Sequence, residues 1–181
     1  MTKFICLSGK AQNGKDTAAE LLKEKLLSKG CKVVITHYAD LLKYICKNYF
    51  EWNGAKDLYG RTLLQLVGTD IVRKQNPDFW VNFVIDIVKF FPTEWDYVIV
   101  PDTRFPNEIK RLKDEGFPVT YIKVIRDGFD NGLSEAQKNH LSETALDDLS
   151  PDFIIHNDGS LGLLEERVIS LMKNLFNEDN K

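Results

Sequence analysis

At 181 residues the chain has the length of one domain, and its 43% hydrophobic and 28% charged residues exclude a disordered chain, a collagen or a long coiled coil. Its 24 Lys and Arg against 27 Asp and Glu give a net charge of −3, which argues against a dedicated nucleic-acid binder, whereas a small anion needs only a local positive site. Cys6, Cys31 and Cys46 show neither a disulfide framework nor zinc spacing, and there is no signal-peptide pattern or membrane-length apolar run, so a soluble cytoplasmic protein without a membrane partner is expected.

Residues 4–8, Phe-Ile-Cys-Leu-Ser, form a short apolar run stopped by Gly9, as for a strand buried on both faces. From 16 to 29 Ala18, Ala19, Leu22, Leu26 and Leu27 repeat at helical spacing, with Gly30 as the stop. Residues 32–38 read as a second strand, and Leu41, Leu42, Ile45, Cys46 and Phe50 mark the next helix, with Gly54 and Gly60 punctuating its end. Helical patterns over 61–75 and 78–90 flank Asn76-Pro77. Tyr97–Val100 is a third strand, 106–115 a helix, Val119–Ile125 a fourth strand, and 127–150 a polar insertion with some helix. Phe153–Ile155 is a fifth strand, and 160–176 a final amphipathic helix before a polar tail that is expected to fray. Strands alternating with helices predict an α/β fold, a five-stranded parallel sheet flanked by helices, with ligands at the strand C-terminal ends.

Gly9-Lys10-Ala11-Gln12-Asn13-Gly14-Lys15 is a G-x-x-x-x-G-K sequence between a predicted strand and a predicted helix, which reads as the phosphate-binding loop of a P-loop NTPase. Its glycines let several backbone N–H groups face one anion, the helix N-terminus adds partial positive charge, and Lys15 reaches the β and γ phosphates. Asp16 stands where Ser or Thr ordinarily holds magnesium and Thr17 comes one place later, so either Thr17 supplies the hydroxyl or Asp16 acts as cap and partner of metal-bound water. Asp102 closes the third strand, where an acidic residue faces the metal or the attacking group, and Arg104 offers a planar cation to a phosphate at the same edge. Asp40, Lys43, Arg61, Arg73 and Arg126 are weaker singly. Phosphoryl transfer depends on cations neutralising two sets of phosphates, and that need raises Lys43, Arg73, Arg104 and Arg126.

Several segments together resemble the phage-type deoxynucleoside monophosphate kinases: Leu-Ser-Gly-Lys-Ala-Gln-Asn-Gly-Lys-Asp-Thr at 7–17, Tyr-Ala-Asp-Leu-Leu-Lys at 38–43, Leu-Leu-Gln-Leu-Val-Gly-Thr-Asp at 63–70, Asn-Pro-Asp-Phe-Trp-Val at 76–81, Asp-Thr-Arg-Phe-Pro-Asn-Glu at 102–108, His-Leu-Ser-Glu at 140–143 and Ile-Ile-His-Asn-Asp-Gly-Ser at 154–160. The resemblance implies ATP and Mg²⁺ on the donor side and a deoxynucleoside monophosphate as acceptor. It implies one kinase domain over 1–181, with an acceptor-binding helical region at about 38–92 and a lid at about 127–150. It places Gly9, Gln12, Asn13, Gly14, Lys15, Asp16, Thr17 and Asn157 with the nucleotide, Asn157 near the adenine, and Asp16, Thr17 and Asp102 with the metal. Lys10, Asp40, Lys43, Arg73, Trp80, Arg104, Asn107, Glu108, His140 and Glu143 fall to the acceptor and the lid, with Lys15, Asp102, Arg104 and Arg126 serving the transfer. The insertion carries only Lys138 as a cation, so its expected task is to exclude water. A homodimer is compatible with the resemblance.

Three other readings start from the same residues. A dephospho-coenzyme A or phosphomevalonate kinase shares parts of the layout, but Asn76-Pro77-Asp78-Phe79-Trp80 favours a nucleotide acceptor. A nucleotide-binding switch leaves the acceptor-side arginines unexplained, and a DNA-binding accessory protein is disfavoured by charge.

Overall fold

In a computed structural model, which describes residues 1–178 with side chains through Leu175, the chain folds as a five-stranded parallel sheet covered on both faces by helices. Expected fraying of the tail concerns, beyond Glu178, residues outside the described ones. Strand β1 (Lys3–Ser8) leads through the glycine-bounded loop to helix α1 (Lys15–Leu27), and β2 (Val33–Ile35) leads to α2 (Ala39–Tyr49). Helix α3 (Leu58–Gln65), a π-helical segment (Leu66–Arg73) and α4 (Phe79–Phe90) precede β3 (Tyr97–Val100), α5 (Pro106–Asp114) and β4 (Val119–Ile125). The short helices α6 (Glu135–Lys138) and α7 (Leu141–Thr144) come before β5 (Phe153–His156) and the long α8 (Leu161–Glu178). The strand order is β2-β3-β1-β4-β5, with β1 in the centre, paired in parallel with β3 and β4.

The alternation of side chains along a strand explains why β1 reads as apolar throughout. Phe4 and Cys6 enter a core with α2, α4 and α5, while Ile5 and Leu7 enter a second core with α1 and α8. The chain runs from β1 to β2 at the sheet edge and returns to β3 between them, and β4 then starts on the other side of β1. Such a reversal leaves a crevice at the strand C-terminal ends, and the loop after β1 opens into it.

Two boundaries differ from the sequence reading. The second strand ends at Ile35 rather than near 38, because the N–H groups of Tyr38 and Ala39 turn to Asp102, which accepts from both at 2.9 Å and so caps α2 from the turn after β3. Gly60 does not end a helix. It lies in the first turn of α3, where its N–H donates to the capping Asp57 carboxylate at 2.8 Å. The pattern over 61–75 is α-helical only to Gln65 and continues as π-helix to Arg73, a rare geometry that concentrates at functional sites. Among the described residues no helix is long and apolar enough to cross a membrane, and the three cysteines are free thiols.

Candidate active site

The loop after β1 owes its shape to glycine at two positions. Gly9 has φ +146° and Gly14 φ +90°, and a Cβ at Gly14 would stand 2.3 Å from the Asn157 amide nitrogen. Asn157 donates to the Asn13 carbonyl at 2.9 Å, and Asn13 in turn donates to the Val124 carbonyl at 3.2 Å, so β4 and the end of β5 buttress the loop from behind. Lys15 folds back across it and donates to the carbonyls of Gly9 (2.8 Å) and Lys10 (2.9 Å). Burial lowers Lys15 to about 8 from the ordinary 10.5, and the Arg104 charge pushes the same way.

A cavity of about 560 Å³ opens beside the loop. Ala11, Gln12, Lys15 and Asp16 form one wall, Asp102 and Arg104 the next, and Lys43, Arg73 and Trp80 the far side. Arg73 is held in advance of any ligand: its guanidinium lies 4.2 Å from the centre of the Phe105 ring and pairs with Glu108, whose side chain is 0% exposed. Glu108 also accepts from the N–H groups of Arg104 (2.7 Å) and Phe105 (3.0 Å), closing the N-terminus of α5. Burial pushes the Glu108 carboxyl upward, while Arg73 and these two donors pull it back. Trp80 is 2% exposed and donates to the Gly68 carbonyl at 3.0 Å, which aligns the indole against the π-helical wall. His37 and Asp16 share a 3.0 Å hydrogen bond that lowers the aspartate and raises the histidine.

A second cavity lies on the other side of the loop, bounded by Lys10, Asn13, Arg126 and the turn Asp127–Asn131. Arg126 stacks 4.0 Å from the Phe129 ring centre. Two walls of the loop thus face two spaces, one toward β4 and one lined with cations toward α2–α4. Such an arrangement can hold a polyphosphate between two ligands.

Residues 33–168, which are 136 of the 181, match the deoxynucleotide monophosphate kinase family. The chain belongs to that family. It is 35% identical over 115 residues to the deoxynucleotide monophosphate kinase of Enterobacteria phage T4, covering 62% of this chain and 45% of the relative. It is 30% identical over 115 residues to that of Escherichia phage RB69, covering 62% and 44%. The chain therefore spans under half the length of these curated relatives. Among solved structures, the APS kinase of Mycobacterium tuberculosis in complex with AMPPNP and APS superposes with a TM-score of 0.52 at 15% identity, covering 95% of this chain and 98% of that one, a likeness of fold. The family match begins at β2, so the phosphate loop stands on its own geometry.

In this family member, several of the residues singled out in the sequence do not reach the main cavity. Thr17 is exposed on α1 away from both cavities, while Asp16 lines the main one, which separates the two metal candidates. Asn107 and Glu108 sit behind the wall: Asn107 donates to Asp78 at 2.7 Å and fixes the start of α4, and Glu108 is sealed beneath Arg73. Asp40 lies outside the wall and holds the Lys43 ammonium at 3.0 Å. Asn157 is engaged with the back of the loop, and Arg126 belongs to the second cavity rather than the first. His140 caps α7 and stands 3.5 Å from Asp70 of the π-helical segment. Lys56, Gln65 and Thr69 line the cavity without having been singled out, and Arg61 does so after carrying little weight alone. Arg61, Leu64, Gln65 and Gly68 follow helical spacing, a signal that points to Arg61 and Gln65, whereas Lys56 precedes α3 and carries no such signal.

Proposed function

We propose that this protein transfers the γ-phosphoryl group of ATP to the 5′-phosphate of a deoxynucleoside monophosphate, giving the diphosphate and ADP. The observation that carries this reading is the single cavity that joins the phosphate loop to Lys43, Arg73, Arg104 and Trp80. The donor phosphates follow the loop amides and Lys15, with the donor nucleoside toward the second cavity beside Arg126. The acceptor phosphate meets Arg73 and Arg104, and its base lies along Trp80. In-line attack by an oxygen that is already anionic needs no strong general base, so the protein's contribution is positioning and charge neutralisation.

Mg²⁺ fits the donor set to a limited extent. Among the described residues no group of three or more acidic, His or Cys side chains converges, but magnesium takes most of its ligands from phosphates and water and needs one or two carboxylates. Asp16 is the carboxylate that fits this role: it lines the cavity with one oxygen held by His37, whereas each oxygen of Asp102 accepts a backbone N–H. Held there, Mg²⁺ would offset charge on the donor phosphates. The segment 127–150 acts as the lid, tied to the loop side by the Arg104–Glu143 pair and the Lys10–Asp147 bridge (2.8 Å).

A coupled ADP-release assay with ATP and Mg²⁺, offering dGMP, dTMP, dCMP, dAMP, AMP, dephospho-coenzyme A and phosphomevalonate one at a time, tests the reading. Turnover with at least one deoxynucleotide is expected. Turnover with only a non-nucleotide acceptor overturns the substrate, and none at all overturns the activity.

A further inference from the structure

Glu143 sits on α7, yet its carboxylate reaches the phosphate loop. One oxygen accepts from the Ala11 N–H at 3.3 Å and the other pairs with the Arg104 guanidinium. The side chain is 6% exposed, so these contacts are not those of a solvated surface acid. Its neighbours fix it in place. The Glu143 carbonyl accepts from Lys10 Nζ at 2.6 Å, Arg104 also donates to the Ser142 carbonyl at 2.9 Å, and His140 Nδ1 lies 2.9 Å from Ser142 Oγ. Lys10 ties the same segment down again through Asp147.

A loop N–H on one side and a guanidinium on the other are the partners that a phosphoryl group takes. The carboxylate presents two anionic oxygens to the same pair, on the wall between the loop and the acceptor cations. We propose that Glu143 is an internal anion that competes with the transferable phosphoryl group for the Ala11 N–H and Arg104, so that a polyphosphate gains these donors only by displacing it. The proposal rests on the reading of the loop as a polyphosphate site. While the carboxylate is seated, Arg104 is neutralised; displacement frees Arg104 for the transferring group.

The test is equilibrium binding of inorganic tripolyphosphate to the full chain, comparing the unaltered protein with Glu143→Gln, Glu143→Asp, Glu20→Gln and Lys15→Ala. Glu143→Gln keeps the shape and removes the charge, and should bind about tenfold tighter, the scale of one charge-assisted hydrogen bond. Glu143→Asp withdraws the carboxylate by one methylene and should also tighten binding, which keeps the test open if the first variant fails to fold. Glu20 is an exposed carboxylate on the wall of the same cavity and controls for a general loss of negative charge. Its variant should change affinity less than twofold. Equal tightening in Glu20→Gln and Glu143→Gln, or no tightening in either Glu143 variant while the unaltered protein binds and Lys15→Ala does not, overturns the competition and leaves the loop reading standing. Absence of binding to every protein overturns the loop reading and the proposal with it.

Discussion

Lys15 is a cation that the fold holds at a cost until an anion arrives, and the cost can be read from its pH dependence. Its ammonium is buried and titrates near 8 instead of 10.5, so between these values the unfolded chain binds a proton that the folded chain has released. Stability must therefore rise with pH across that window. Across pH 7 to pH 10 the two titrations imply a gain of roughly 2–3 kcal/mol. The perturbation is Lys15→Met, which removes the titrating group while filling similar space. Urea unfolding of both proteins at whole pH values from 7 to 10 isolates the effect, because other groups cancel in the difference. The unaltered protein should gain roughly 2–3 kcal/mol relative to the variant over that range. A difference that stays flat within about 0.5 kcal/mol refutes the burial argument. The same titration has a functional face: tripolyphosphate binding should weaken above pH 8, and Lys15→Arg, whose guanidinium stays charged, should remove that dependence.

Three further outcomes follow from the site. Glu108→Ala strands Arg73 over a buried space and should cost about 3–5 kcal/mol in urea unfolding, and steady-state kinetics should show KM for the acceptor rising more than kcat falls. Gly14→Ala meets both a φ of +90° and a 2.3 Å approach to Asn157, so kcat/KM should drop by roughly a hundredfold, about 2.7 kcal/mol, with the overall fold retained by circular dichroism. Asp102→Asn turns an amide donor toward the N–H groups of Tyr38 and Ala39, and a loss of about 1–2 kcal/mol in thermal or urea unfolding is expected. An unchanged stability in that variant would show that the carboxylate is not the cap of α2.

The architecture was legible in the chain because its signals are local. Apolar runs at 4–8, 97–100 and 119–125 are strands buried on both faces, where burial imposes a residue type at every position, and the G-x-x-x-x-G-K loop carries its chemistry in consecutive residues. Lys15, Asp16, Arg73, Trp80 and Arg104 could be singled out because charge need or a contiguous segment drew attention to them, and all five line the main cavity. The early end of β2 at Ile35 was not legible, since the group that turns the backbone away, Asp102, lies 63 residues on from Ala39. Nor was the difference between a residue on the cavity wall and one behind it. Asn107 and Glu108 stand in the same segment as Arg104, and only the packing of α5 against α4 and the π-helical wall sends Arg104 into the cavity and Glu108 beneath Arg73. The sequence by itself determined the sheet and the loop, because each is written in neighbouring residues. Tertiary structure alone decided which charges meet, since Glu143 and Ala11 are 132 positions apart and come within hydrogen-bonding distance only when the 127–150 segment folds across the loop.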